Sequence, residues 1–379
     1  MDDYGLDGEP ATGPLRGVLV ADFSRVLAGP LATMMLGDLG ADVVKVERPG
    51  LGDETRSWSP PAAEDGESTY YLAVNRNKHS VTIDLSTWEG QQSARMLAAR
   101  ADVVVENFVP GTMERFGLGY DELAREHPSL IYASLTGFGR GAGARRPGYD
   151  FLVQAVGGLM SVTGEAGGPP TKAGVALVDV LAGQHLVIGI LAALGERARS
   201  GLGQRVDVDL FSSVLFGLVN QASAYLNAGV TPTRLGNAHP SIAPYQTLAA
   251  ADRAFAVAVG NDAQFGRLLA ALGLEPDSRF ATNSGRVRHR DALTARLEER
   301  TRTAPAAHWV ETLTAVNVPC GPINSVPEAF AFAEALGLDP VVRTPRPGGF
   351  TPASVANPVR LSRTPATYRH APPRLAAEP

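Results

Sequence analysis

Short apolar runs and longer helical segments alternate along the first third of the chain. The apolar runs are rich in β-branched residues and bounded by turn residues, which predicts strands. These runs span residues 17–23, 43–46, 81–85, 103–105 and 130–135. Apolar residues at helical spacing predict helices over 30–39, 88–100 and 113–126. Strand–helix–strand units in succession predict a fold of the α/β class, with a parallel sheet and helices on both faces.

The chain changes character from about residue 245, after a connection at 229–244. Helices are predicted over 181–199 and 211–226, and a connection rich in Pro, Gly and Asn follows. A strand pattern at 254–259 and helical patterns at 262–272, 290–301 and 306–316 predict a smaller second domain. Beyond Pro319 the chain is rich in proline and glycine, and we expect it to return to the first domain. The predicted division is a large domain over 1–225, a small α+β domain over 226–324 and a C-terminal segment over 325–379.

Composition excludes several classes of protein. The 379 residues carry 34 basic and 39 acidic side chains, and this mild acidity argues against nucleic acid as the main partner. Cys320 is the single cysteine, so an internal disulfide and a multi-cysteine metal site are ruled out. The first residues lack the basic and apolar regions of a signal peptide. The apolar run between Asp179 and Glu196 is shorter than the ~20 residues that span a membrane. We therefore expect a soluble cytoplasmic protein.

Asp179 is the most informative single residue. It lies between a short apolar run and the long apolar helix predicted at 181–199. The structural interpretation is a helix cap, because aspartate accepts hydrogen bonds from the free N–H groups of a first helical turn. The functional interpretation is a carboxylate that a substrate approaches at a helix start. The two are compatible, since the same N–H groups stabilise developing oxyanions.

Arginine and aromatic residues near predicted strand ends are weaker candidates. The arginines are Arg25, Arg48, Arg56, Arg115, Arg145 and Arg146. Arginine pairs with phosphate and carboxylate in bidentate geometry, but a surface arginine is more often a solvated charge. Tyr149 and Asp150 are candidates to line a site, and a packing role for the tyrosine is equally open.

Nine strings together give the chain a family resemblance. They are residues 23–30 (FSRVLAGP), 39–49 (LGADVVKVERP), 75–78 (NRNK), 105–111 (VENFVPG), 148–150 (GYD), 175–179 (VALVD), 197–205 (RARSGLGQR), 236–246 and 318–324 (VPCGPIN). Their order and spacing resemble the class III CoA-transferases over about residues 15 to 365. The strings at 46–56 and 68–72 look closest to members that use succinyl-CoA and other dicarboxylates.

The resemblance implies a fold and an activity. Members pass CoA between carboxylic acids, so acyl-CoA and a carboxylic acid are the implied substrates, with no metal. The implied fold is a large Rossmann-like parallel-sheet domain, completed by the C-terminal segment, plus a smaller α+β domain. Two such chains thread through each other as an interlocked homodimer. The family's catalytic aspartate aligns with Asp179.

The resemblance also implies the residues that contact CoA. They are Leu27, Ala28, Arg48, Ile83, Asp84, Leu85, Asn107, Phe108, Arg115, Arg146 and Tyr149. Ser86 stands where some members have a lysine, which puts a phosphate contact there in doubt. In the implied mechanism, the ionised Asp179 carboxylate attacks the thioester and carries the acyl group and then CoA. An unperturbed aspartate, with a pKa near 3.9, is ionised at pH 7. The turn at Gly260 and Asn261 is a candidate to hold oxyanions.

Two alternative functions remain. The same superfamily includes α-methylacyl-CoA racemases, which have a histidine where this chain has Tyr149. A phenol with a reference pKa near 10 is a poorer proton shuttle at neutral pH than imidazole, which weighs against racemisation. The other alternative is a non-catalytic CoA-binding protein, which the intact string around Asp179 disfavours.

Overall fold

The structure is a computed structural model that describes residues 12–346 and 349–376. Its described residues form two compact units. The first contains the residues up to Leu159, Ala173–Val230 and those from Asp339 onward, and the second contains Met160–Lys172 and Thr231–Leu338. Residues 325–338, predicted as part of the returning segment, therefore belong to the second unit. Residues 160–172, predicted as part of the large domain, belong to the second unit as well.

Most elements of the first unit alternate between strands and helices. The strands are β1 (Leu19–Asp22), β2 (Asp42–Glu47), β3 (Lys78–Thr82), β4 (Val103–Glu106), β5 (Ile131–Thr136) and β6 (Arg205–Asp209), with a short pair β10 (Val341–Arg343) and β11 (Ala353–Val355) near the C-terminus. The helices are α1 (Ala28–Asp38), α2 (Thr69–Ala73), α3 (Trp88–Arg100), α4 (Thr112–Arg115), α5 (Tyr120–Glu126), α6 (Asp150–Val156), α8 (Leu177–Ser200), α9 (Leu210–Gly217) and α10 (Val219–Ala228), with α7 (Leu159–Val162) at the boundary.

A six-stranded parallel sheet forms the centre of this unit, which confirms the predicted α/β class. The strand order is β3-β2-β1-β4-β5-β6, so the direction of winding reverses between β1 and β4. Successive side chains of a strand point to opposite faces. Val20 and Val43 thus pack with α1 and α8 on one face, whereas Ala21 and Val44 pack with α3 on the other.

Helix α8 lies in the core of the first unit. Its 24 residues exceed the apolar run identified in the sequence, and by length and composition alone it is apolar enough to cross a membrane. Core helices pass the same test. Leu186 and Ile190 are fully buried in the cluster formed by α1 and the sheet. Packing therefore accounts for the buried face of this helix, whereas Ile188 and Leu191 are exposed.

Two predicted helices are interrupted. The segment 113–126 divides into α4 and α5 because Gly117, between them, has φ of +68° and cannot continue a helix. The segment 211–226 divides into α9 and α10 at Val219, whose φ is +38°. The strand predicted at 81–85 ends at Thr82, so Ile83 and Leu85 follow it. Strand β6 was not predicted, since charged residues alternate with its two valines.

The second unit is built on an antiparallel sheet. Its strands, in the order β7-β8-β9, are β7 (Tyr245–Ala249), β8 (Ala254–Ala258) and β9 (Cys320–Pro322). Its helices are α11 (Asp262–Leu272), α12 (Asn283–Arg288), α13 (Arg290–Thr301), α14 (Ala306–Ala315) and α15 (Val326–Ala335). Phe255 of β8, Leu268 of α11 and Leu313 of α14 meet in one buried cluster.

Candidate active site

A cavity of about 280 Å³ lies where the sheet reverses its winding. Residues 25–28 follow β1, 107–110 follow β4 and 135–137 end β5, and all three stretches line it. The loop before α6, Glu54, Asp179 and Leu210 complete the lining. Crevices at the carboxyl ends of parallel strands, where strand order reverses, are the usual ligand sites of such sheets. The topology therefore marks this cavity as the candidate active site.

Asp179 is the third residue of α8 and is half-buried on the cavity wall. It does not cap its helix. The Asp150 carboxylate does so, because Oδ1 of Asp150 accepts the N–H of Val178 at 2.9 Å and that of Asp179 at 3.4 Å. Within residues 12–346 and 349–376, the Asp179 carboxylate has no hydrogen-bond or ion-pair partner. The structural interpretation of Asp179 as a cap is therefore wrong, and its carboxylate is free to meet a ligand.

The surroundings of Asp179 favour its neutral form. Burial and, secondly, the negative charge of Asp150 raise the pKa of Asp179 to about 7. The expectation of a fully ionised carboxylate at pH 7 is thereby corrected. Burial and the same carboxylates raise the pKa of Tyr70 to about 12, so its hydroxyl stays protonated at neutral pH. A carboxylate of raised pKa is a more basic nucleophile than an ordinary aspartate.

A buried ion pair fixes the loop that forms another wall. Val26 has φ of +71°, a conformation that β-branched residues rarely adopt. Its N–H points to the Asp53 carboxylate at 3.3 Å. Asp53 in turn pairs with Lys45 at 2.9 Å, with both side chains fully buried, and Lys45 donates to the Ser24 carbonyl at 2.9 Å. The loop is thus held at Ser24 and at Val26 by one buried pair.

Asn107 joins the loops after β1 and β4. Its Oδ1 accepts the Arg25 N–H at 2.9 Å and its Nδ2 donates to the Arg25 carbonyl at 2.7 Å. The Arg25 guanidinium lies 4.5 Å above the Phe108 ring and bonds Glu54 at 2.7 Å. Both polar atoms of the Asn107 amide are therefore engaged within the protein, which indicates a structural contribution to the cavity.

The cavity brings together most of the residues predicted to contact CoA. Its lining includes Leu27, Ala28, Asn107, Phe108, Arg146 and Tyr149, together with Asp179. Arg48, Ile83, Asp84, Leu85 and Arg115 lie outside this lining. Arg48 follows β2 and Ile83–Leu85 follow β3, so they share the same edge of the sheet. Arg115 ends α4 and bonds Thr112 at 3.3 Å. The roles of all these residues toward CoA stay predictions.

Gly260 and Asn261 belong to the second unit. The Gly260 N–H donates to Oε1 of Gln264 at 2.7 Å, and the Asn261 side chain caps α11 by accepting the Gln264 N–H at 2.9 Å. Both groups are engaged in local structure, and their predicted role with oxyanions stays a prediction. Among the described residues, no group of three or more His, Cys, Asp or Glu side chains is arranged to hold a metal ion.

Three features of the site were missed in the sequence. They are the helix-capping role of Asp150, the support of residues 24–28 by Lys45 and Asp53, and the stacking of Arg25 on Phe108. The aspartate of the GYD string was a visible signal for the first. The others depend on contacts between segments that are distant in the chain.

Comparison with known proteins gives the class of this chain. The model of CoA-transferase family III matches residues 15–378, so the chain belongs to that family and the resemblance is confirmed. The succinate–glutarate CoA-transferase of Agrobacterium fabrum is 43% identical over 371 residues, covering 96% of this chain and 93% of that protein. The succinyl-CoA:glutarate CoA-transferase of Homo sapiens is 41% identical over 369 residues, covering 96% and 83%.

Solved structures agree with the fold. A CaiB/BaiF family protein from Brucella suis superposes with a TM-score of 0.85 at 45% identity, covering 96% of this chain and 97% of that one. The chain is therefore a family III CoA-transferase with the fold of its CaiB/BaiF relatives.

Proposed function

We propose that this chain transfers CoA from succinyl-CoA to a dicarboxylic acid, with Asp179 as the nucleophile. The observation that carries the proposal is the Asp179 carboxylate, which lines the cavity without a partner among the described residues. The names of the relatives support the substrate class, since they pair succinate or succinyl-CoA with glutarate. The interlocked homodimer that the resemblance implies and the cytoplasmic location expected from the sequence remain predictions.

The proposed reaction keeps the energy of the thioester throughout. The Asp179 carboxylate attacks the thioester carbonyl, forming a mixed anhydride and releasing CoA thiolate. The thiolate attacks the aspartyl carbonyl, giving an aspartyl-CoA thioester and free succinate. The acceptor carboxylate then attacks this thioester, which forms a second anhydride and again releases the thiolate. Attack of the thiolate on the acceptor acyl carbonyl gives the new acyl-CoA and restores Asp179, so the exchange is divided into activated steps.

Other residues of the lining suit this chemistry. Helix α1 begins at Ala28 on the cavity wall, and the first-turn N–H groups of a helix favour negative charge. Arg146 also lines the cavity and has no ion-pair partner in the described part of the chain. Its guanidinium is therefore available to a phosphate or a carboxylate. The Arg25 guanidinium is already engaged with Glu54.

Chemical trapping tests the covalent route. Purified protein is mixed with succinyl-CoA under single-turnover conditions, quenched with hydroxylamine and digested for mass spectrometry. We expect the Asp179 peptide to carry the mass of a hydroxamate only when succinyl-CoA is present. Transfer that proceeds while this peptide stays unmodified would contradict the covalent route.

An acceptor screen tests the substrate class and the two alternatives. Mono- and dicarboxylic acids of two to six carbons are offered with succinyl-CoA, and we expect the dicarboxylic acids to be the better acceptors. Deuterium exchange at the α-carbon of a 2-methylacyl-CoA without any acceptor would indicate a racemase. Tight CoA binding without exchange across the whole panel would indicate a non-catalytic protein.

A further inference from the structure

Asp150 controls the segment that carries Asp179. It is the first residue of α6, and its Oδ1 accepts N–H groups from the first turn of α8. Its Oδ2 accepts a hydrogen bond from Nε2 of Gln154 at 2.7 Å. Gln154 is fully buried, and its Oε1 accepts the Ala173 N–H at 2.8 Å. Asp150 and Gln154 therefore hold both ends of the stretch from Ala173 to Asp179.

The N-terminus of α8 is capped by a carboxylate from another helix, Asp150 of α6, and not by a residue next to α8 in the chain. N–H groups of the first turn stabilise a negative charge placed on them. Here they stabilise Asp150, and Asp179 keeps a nearby negative charge without a compensating cation. The other titratable groups around Asp179, from the remaining cavity walls and from α2, are Arg25, Glu54, Arg146, Tyr149 and Tyr70. Arg25 is paired with Glu54 and Arg146 is exposed, so neither cancels the repulsion from Asp150.

We propose that Asp150 is a positioning residue that orients Asp179 and destabilises the free Asp179 carboxylate relative to its uncharged, acylated form. The inference rests on the proposed function. Acylation removes the negative charge of Asp179, as protonation does, so repulsion between the two carboxylates is relieved in both anhydride and aspartyl-CoA thioester. The raised pKa of Asp179 agrees with this, since Asp150 is one of its two causes. The charge of Asp150 thereby increases the fraction of enzyme in which Asp179 is acylated or linked to CoA.

The variant Asp150→Asn separates charge from geometry. The amide oxygen of asparagine still accepts the N–H groups of α8, but the negative charge is gone. We expect the acid limb of kcat/KM to move to lower pH by about one unit, because loss of a like charge lowers the pKa of Asp179. We also expect a smaller fraction of acylated enzyme after a single turnover with succinyl-CoA. Asp150→Ala removes the hydrogen-bond acceptor as well, and we expect its kcat to be about tenfold lower than that of Asp150→Asn.

Two outcomes of these activity measurements overturn the inference. One is an Asp150→Asn enzyme whose acid limb and acylated fraction equal those of the wild type, since Asp150 is then only a helix cap. The other is an acid limb that moves to higher pH. Asp150→Glu, which keeps both the charge and an acceptor, serves as the matched control and should retain the wild-type limb.

A spectroscopic readout keeps the test independent of turnover. The protonated carboxyl of Asp179 is identified by infrared difference titration as the band that Asp179→Asn removes. Its midpoint should fall in Asp150→Asn by the same amount as the kinetic limb, and an unchanged midpoint would overturn the inference even for an enzyme that transfers no CoA. A wild type without transfer activity would refute the proposed function alone. Should Asp150→Asn not fold, Asp150→Ser provides an uncharged cap for the same titration.

Discussion

Two groups of charged side chains support the same cavity and are built in opposite ways. Behind the loop 24–28, carboxylates face cations at short distance; the pairs are Asp22–Lys78, Asp53–Lys45 and Glu47–Arg56. Burial raises the pKa of each of these three carboxyls, but the facing cations outweigh burial, so that each pKa is lowered. At the start of α8, Asp179 faces Asp150 instead, and its pKa is raised to about 7.

The contrast distinguishes carboxylates that stabilise the fold from a carboxylate that is available to react. A buried carboxylate that is paired and hydrogen-bonded is held in place, and its lone pairs are already used. A carboxylate that burial and a like charge destabilise gains most from a reaction that removes its charge. One sheet edge therefore carries both a rigid frame, including the strained Val26, and the Asp179 carboxylate, which has no partner in the described part of the chain.

The largest expected effect tests the reactive side of this contrast. Asp179→Ala should lower CoA transfer by at least about a thousandfold, because the proposed nucleophile is removed. Initial rates with succinyl-CoA and glutarate measure it. Asp121→Asn, an exposed position in the first turn of α5, is the control and should transfer normally. Transfer by Asp179→Ala within tenfold of the wild-type rate would refute the assignment.

The next effect tests the frame. Asp53→Ala leaves the Lys45 ammonium buried without its partner, which should reduce the free energy of unfolding by about 3–5 kcal/mol. Urea unfolding at pH 7.5 measures it. The neighbouring Glu54→Ala breaks a half-exposed pair with Arg25 and should cost about 1 kcal/mol or less. Equal losses in the two variants would show that burial of the Lys45 pair has no special weight.

A third effect concerns how the free energy of unfolding depends on pH. Because the native pKa of Asp179 lies above its unfolded value, the folded protein binds more protons and loses stability as pH rises from about 4 to 7. Asp179→Asn removes this penalty, so it should raise the free energy of unfolding at pH 8 by a few kcal/mol, on the order of 2–4. The gain should vanish near pH 4. A gain of equal size at both pH values would contradict the raised pKa.

The smallest effect concerns binding at the cavity. Arg146→Ala should raise the KM for succinyl-CoA about tenfold with little change in kcat, because one cation that meets an anionic substrate is lost. Arg145→Ala is the matched control, since Arg145 is equally exposed and does not line the cavity. Parallel KM increases in both variants would indicate a general effect of surface charge.

Periodicity was enough to predict much of the fold. The predicted helices at 88–100, 262–272 and 290–301 coincide with α3, α11 and α13, because apolar spacing and polar flanks mark both ends. The breaks at Gly117 and Val219 depend on single residues with positive φ, which periodicity does not register. Strand β6 depends on pairing with β5, so its own alternating charges conceal it.

The site was less accessible to sequence reasoning. Leu27 and Phe108 lie on loops that leave the same edge of one sheet, and Asp179 lies in the first turn of α8 at the same cavity. Only the family resemblance linked the three residues beforehand. The cap that Asp150 supplies joins residues 28 positions apart. Neither the direction of the Asp179 pKa shift nor the Lys45–Asp53 pair follows from local residue types, because both arise from burial and tertiary contacts.

Isotope transfer to Asp179 tests the covalent claim most directly. When the acceptor diacid carries ¹⁸O in its carboxylates, its attack on the aspartyl-CoA thioester leaves one ¹⁸O in Asp179 after each exchange. The peptide that contains Asp179 is then weighed after a single turnover. We expect a gain of one ¹⁸O atom per enzyme, dependent on succinyl-CoA and absent in Asp179→Asn. Full turnover with no ¹⁸O in this peptide would contradict a covalent role for Asp179.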